Sequence, residues 1–170
     1  IEIQQDFTKV LFHFRRNENG TNYFITLKHE DSRVPFMKMG AVLLTQKHPR
    51  LIVNGKMYRF YDFVQGNKLA VFLHKKYIHI PPEHEPSYYE KFVKTLMETA
   101  PVFGQGFEIE KRKDKASPQL NLVQRNESYG FELLIAYGSQ TFAYGRDKYF
   151  HVAMTWSDGP RFIKYLRAVQ

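Results

Sequence analysis

The side chains best placed for metal chemistry are His79, Glu83, His84 and Glu85, because imidazole and carboxylate together can hold zinc or a harder divalent ion. Their spacing is not the His-Glu-x-x-His of a zinc hydrolase, and they straddle Pro81 and Pro82, where polar side chains cap, turn or face water. A structural role is expected for them. Glu108 and Glu110 would share one face of an extended segment, the arrangement of an acid–base pair, but two carboxylates on one strand are also ordinary surface. The Ser, His and Asp residues lack a nucleophile elbow. Gly104-Gln105-Gly106 has neither the later glycine of a dinucleotide fingerprint nor a Gly-Lys-Ser/Thr ending, so it reads as a turn or bulge. No catalytic, cofactor-binding or metal-binding residue is assigned, and no enzyme activity is expected of the chain itself.

Basic residues offer a different chemistry. Lys and Arg outnumber Asp and Glu by 25 to 17, a surplus that attracts polyanions through long-range electrostatics. The denser clusters make Lys47, Arg50, Lys75, Lys76, Lys111, Arg112, Lys113 and Lys115 the candidate nucleic-acid contacts. No helix-turn-helix, zinc-finger or aromatic RNA-binding signature surrounds them, so each cluster also reads as a solvated face.

The elements that must position these residues are mainly strands. Phe7 to Arg16 alternates, with Val10, Phe12 and Phe14 on one side and Leu11, His13 and Arg15 on the other. Asn17, Asn19 and Gly20 supply a turn before a second strand from Tyr23 to His29. Glu30 to Ser32 marks another turn, and Ala41 to Thr45 is an apolar run suited to a buried strand. Asn54-Gly55, between Leu51-Ile52-Val53 and Lys56 to Phe60, predicts a type I′ hairpin, since both residues tolerate positive φ. After a turn at Gly66-Asn67, Leu69, Val71, Leu73, Tyr77, Ile78 and Ile80 carry strand-like spacing up to Pro81-Pro82.

Pro86 to Ala100 predicts the main helix: Tyr88, Tyr89, Phe92, Val93, Leu96, Met97 and Ala100 form its apolar face, and Pro101 closes it. Beyond it, Val102 to Lys111 is expected to be extended, Lys111 to Lys115 an exposed basic loop, and Pro118 to Val123 and Tyr129 to Tyr137 a strand pair. Tyr149 to Trp156 and Arg161 to Val169 predict a last hairpin, with a short helix as the alternative for its second arm. The fold class is therefore α+β, predominantly antiparallel β with one main helix. Two small β-rich subdomains are expected, at 1–82 and 83–170. Most of the 15 Phe and 11 Tyr should pack inside.

The chain has no cysteine, which removes disulfides, thiolate metal sites and thiol nucleophiles and permits a reducing compartment. No apolar run approaches the roughly 20 residues of a membrane helix. A cytoplasmic, membrane-free location is expected. Starting at Ile1 rather than Met, the chain reads as a piece of a longer polypeptide.

Four stretches together, LIVNGKMYRF, KLAVFLHKKYIHIPP, YYEKFVKTLMETAPVFGQGFEIE and PQLNLVQRNESYGFELLIAYGSQTF, resemble the non-catalytic N-terminal region of bacterial Swi/Snf-like helicases. The resemblance covers most of the chain. In such helicases ATP hydrolysis belongs to two RecA-like domains, whose Gly-Lys-Thr loop and Asp-Glu-x-His box are missing here. It therefore implies an accessory domain that helps dock DNA or position the motor, with DNA and the remaining helicase domains as partners and no cofactor of its own. A protein-interaction or intramolecular docking module without nucleic-acid contact is the alternative.

Overall fold

The computed structural model describes residues 1–37, 40–44, 48–60, 68–144 and 150–166. The fold is α+β and rich in antiparallel strands, with one main helix. It divides into two compact units, Ile1–Glu85 with Ala100–Gly106, and Pro86–Thr99 with Phe107–Gln170. The division follows the start of the helix rather than residue 82, and the chain returns to the first unit after the helix. Among the described residues no helix is long and apolar enough to cross a membrane.

The first unit is organised by one long strand, β1 (Glu2–Asn17). A two-residue turn at Glu18-Asn19 sets Asn17 opposite Gly20 and so fixes the antiparallel register with β2 (Gly20–His29). The alternation places Val10, Phe12 and Phe14 inward, all at 1% exposure or less, facing Tyr23, Ile25 and Leu27 of β2. Phe14 and Tyr23 stack with ring centroids 4.7 Å apart. Each such fully buried side chain contributes about 1.5–3 kcal/mol of transfer free energy. A short β3 (Ser32–Arg33) continues from β2, β4 (Val42–Leu44), β5 (Arg50–Val53) and β6 (Lys56–Phe60) extend the sheet beside the first half of β1, and β7 (Ile78–Ile80) pairs with β2.

Asn54 and Gly55, at φ 52° and 74°, form the expected hairpin between β5 and β6. The strand predicted over Ala41 to Thr45 exists as β4, but it is an edge strand rather than a buried one. Among the described residues it pairs only with β5, leaving Val42 53% and Leu44 42% exposed, and Thr45 lies outside the described residues. Leu69–Leu73 corrects a second expectation: it is a 3-10 helix, not a strand. Leu69 and Phe72, three apart and both buried, define its inward side, a spacing that fits three residues per turn, while Val71 faces out. The turn predicted at Gly66-Asn67 lies outside the described residues.

Helix α1 (residues 85–97) follows a 3-10 turn at Pro82–His84, with Pro86 in its first turn. Its α turns at Glu85–Tyr88 and Lys94–Met97 flank a wider π stretch at Tyr89–Val93. After it, the expected extended run over Val102 to Lys111 is broken in two. β8 (Val102–Gln105) pairs in parallel with β1 in the first unit, whereas β9 (Glu108–Arg112) belongs to the second. Gly106 makes the break: its φ is 83°, and a Cβ there would collide with the carbonyl oxygen of Arg16.

In the second unit, β13 (Phe150–Trp156) and β14 (Pro160–Leu166) form the expected hairpin, the last segment being strand, and β9 adds to β14 in parallel. Tyr89 of α1 packs on one face of this sheet, with ring centroids 6.1 Å from Phe162 and 6.0 Å from Trp156. The other face carries His151 and Tyr165, on which Tyr137 stacks at 4.8 Å from Tyr165. Tyr137 ends β11 (Ser128–Tyr137), which pairs with β10 (Ser117–Arg125) and β12 (Gln140–Ala143) in a separate three-stranded ribbon.

Candidate nucleic-acid interface

The side of β1 and β2 that faces away from the core of the first unit is built by the same alternation that built the core. Lys9, Leu11, His13 and Arg15 project outward from β1 opposite Lys28, Thr26, Phe24 and Asn22 of β2. Lys28 in turn pairs with Arg33 of β3, so Lys9, Lys28 and Arg33 stand abreast across three strands, all exposed. Like charges directly opposite one another on a sheet destabilise it. Among the described residues no carboxylate forms an ion pair with any of the three, although Glu30 and Asp31 occupy the turn between β2 and β3. An arrangement that repels itself and is left uncompensated by protein carboxylates is suited to an external polyanion.

About 13 Å along the strands from that row, at four residues' rise, lies an aromatic row. His13 is flanked by Phe24, 4.8 Å away with planes 4° apart, and by Phe103 of β8, 5.3 Å away and tilted 20°. The Arg15 guanidinium carbon lies over the Phe24 ring, 4.8 Å from its centroid. His13 also hydrogen-bonds Thr26 Oγ1 at 2.7 Å. Burial, and then the positive charges of Arg33 and Arg15, push the His13 pKa below its usual 6.5. The imidazole is therefore neutral at pH 7 and fit to stack.

The described residues predicted from sequence divide between the two units. Arg50 lies on β5 opposite Arg59, on the outward side of the first unit's sheet, with Nη1 3.9 Å from Met57 Sδ. Arg59 donates to the carbonyl oxygen of Gln5 and lies over the Phe7 ring. Lys75 and Lys76 are exposed between the 3-10 helix and β7. Lys47 lies outside the described residues. Lys111 and Arg112 end strand β9 of the second unit instead of opening a loop, and only Lys113 and Lys115 stand in the irregular segment after it. Arg112 is paired with Glu110 at 3.0 Å, whose hydrogen bond and charge push its pKa further up. Lys9, Arg15, Lys28 and Arg33, absent from the sequence-based set, share the outward face of β1, β2 and β3.

The carboxylates considered for chemistry are engaged elsewhere. Glu85 is 2% exposed and accepts from Arg16 Nε at 3.0 Å and Thr21 Oγ1 at 2.6 Å. His79 Nδ1 lies 2.8 Å from Asn22 Oδ1, and no group of three or more His, Asp or Glu side chains with metal-binding geometry occurs among the described residues. Glu108 pairs with Arg161 at 2.8 Å and Glu110 with Arg112, both exposed pairs of small energetic weight.

A second exposed surface lies on the ribbon of the second unit. The β10–β11 register sets Pro118 opposite Ile135, Leu120 opposite Leu133 and Leu122 opposite Phe131, an apolar ladder on one face. Tyr137 anchors its base at 1% exposure, and exposure then rises outward through Leu133 at 39% to Phe131 at 73% and Tyr129 at 68%. Comparison with protein-family models, with curated proteins and with solved structures finds no match.

Proposed function

We propose that this chain is a non-catalytic accessory domain of a Swi/Snf-like DNA helicase or translocase, and that it docks nucleic acid on the outward face of β1, β2, β3 and β8. The observation that carries the docking role is the row Lys9, Lys28 and Arg33, three cations abreast with no carboxylate pairing to them among the described residues. The helicase context rests on the sequence resemblance. ATP hydrolysis falls to motor domains elsewhere in the polypeptide, and the domain's own work is electrostatic positioning in the cytoplasm, with no cofactor.

The test is a salt titration of DNA binding. Each phosphate-contacting cation adds about 0.7 to 0.9 to the slope of log affinity against log salt, so replacing Lys9, Lys28 and Arg33 with Gln should lower that slope by about 2 to 3. A slope unchanged in the triple variant, or no binding at low salt to DNA of several lengths and structures, removes this reading.

The apolar ladder of the ribbon favours the second reading, a docking module for the remaining helicase domains. Its exposed side chains form a patch on the order of 500 Å², the range in which a surface patch on a soluble domain is often functional. Leu122→Ser with Phe131→Ser should then abolish association with the separately produced motor domains. Unchanged association sets this second reading aside.

A further inference from the structure

The aromatic row on the proposed docking face is a stacked column whose end on β8 is exposed. The Arg15 guanidinium lies over Phe24; His13 is sandwiched between Phe24 and Phe103; and Phe103 ends the column on β8, 51% exposed. Phe103 ends the column because β8 pairs only with β1, so that among the described residues no further strand lies beside it. We infer that the outer face of Phe103 is a stacking platform for one unpaired nucleobase, so that the nucleic acid docked here is single-stranded where it crosses β8. This rests on the nucleic-acid reading given above and narrows it.

The chemistry follows from what each form of nucleic acid can present. In a duplex the base faces are used up by their neighbours, and only groove edges and phosphates remain for the protein. An unpaired base has a free π face, and an exposed aromatic ring is its sequence-tolerant partner. The next outward-facing residue of β8, Gln105, is exposed opposite Arg15 and offers a carboxamide donor and acceptor beside the stacked base. Lys9, Lys28 and Arg33 lie about 13 Å away along the strands, in position for the phosphates of neighbouring nucleotides.

The experiment is fluorescence anisotropy of the chain with labelled oligo(dT), oligo(U) and a duplex of equal length at one low salt concentration. The variants are Phe103→Ala, Phe103→Trp, Lys28→Gln with Arg33→Gln, and Phe131→Ala as a control that removes an exposed ring outside the column. Removing the ring on which one base stacks costs about 1–3 kcal/mol, so Phe103→Ala should weaken single-strand binding by roughly 5- to 150-fold while leaving duplex affinity unchanged, and Phe131→Ala should change neither. Phe103→Trp should retain affinity, and its indole fluorescence should be quenched as the strand binds. Tighter binding of oligo(dT) or of oligo(U) supports the inference either way. Single-strand affinity insensitive to Phe103→Ala, with sensitivity to loss of Lys28 and Arg33, overturns the stacking inference and leaves the docking reading intact. Absence of binding to all three oligonucleotides overturns both.

Discussion

Lys164 is a charge that the second unit carries at a cost. It lies on β14 at 3% exposure, pairs across the ladder with Val152 and Lys111, and has its ammonium 4.1 Å from the centroid of the Phe150 ring. Among the described residues no carboxylate pairs with it. Burial, and then the charge of Lys111, push its pKa down from 10.5 to about 8. The unfolded chain therefore holds a proton that the folded chain has released between pH 8 and 10.5, so the wild type gains stability as pH rises through that window. Below pH 8 both states are charged and the whole penalty stands. At about 1.4 kcal/mol per unit, the displacement sets a ceiling near 3 kcal/mol, which the attraction to Phe150 already offsets in part and which solvent around the exposed Lys111 screens further. Lys164→Met keeps the length and removes the charge. It should gain about 1–3 kcal/mol at pH 7, or roughly 2–10 °C in Tm, and that gain should shrink as pH approaches 10. Thermal unfolding of both proteins at several pH values measures it. A variant no more stable than the wild type at pH 7, or a difference that does not change with pH, refutes the reasoning.

The Glu85 carboxylate joins Arg16 and Thr21 inside the first unit, so Glu85→Ala should cost about 3 kcal/mol in urea unfolding. A loss below about 1 kcal/mol would show the pair to be dispensable. The lowered pKa of His13 means that, just below pH 6.5, the unfolded chain binds the proton first; stability should fall on acidification and fall less in His13→Gln. Parallel acid curves for the two proteins would contradict the placement of His13 beside Arg33 and Arg15. On the ribbon, Tyr137→Ala should cost about 3–5 kcal/mol, as for other buried aromatics, whereas Phe131→Ala on the exposed arm should stay within about 0.5 kcal/mol. Equal losses at the two positions would mean that the arm is covered.

Local sequence carries much of this architecture because its hairpins are local. The turn after Asn17 fixes the register of β1 and β2, and with it the opposition of Lys9 to Lys28 and of His13 to Phe24. The alternation alone sets His13 and Arg15 on the side opposite Val10, Phe12 and Phe14, and the burial of those three turns it outward. Clusters dense along the chain, such as Lys111 to Lys115, are the visible sequence signal, whereas a sheet assembles its cations across strands. Arg33 joins the row through a two-residue strand, and Phe103 reaches His13 through a parallel pairing that no neighbouring residue announces. The Leu69–Leu73 turn was hidden for a related reason: a short apolar run satisfies both a period of two and a period of three, and packing of Phe72 against Tyr23 selects the latter. Lys164 has no sequence signal at all, since its burial depends on how β13, β14 and β9 assemble.

The measurement closest to the central claim is ultraviolet crosslinking of the chain to a photoreactive oligonucleotide, followed by mass-spectrometric mapping of the attached peptides. Adducts should fall on β1, β2 and β8, at residues such as His13, Phe24 and Phe103, and should disappear when Lys9, Lys28 and Arg33 are replaced by Gln. Adducts concentrated on residues 111–115 of the second unit, or unaffected by the triple replacement, would contradict the assignment of this face as the docking surface.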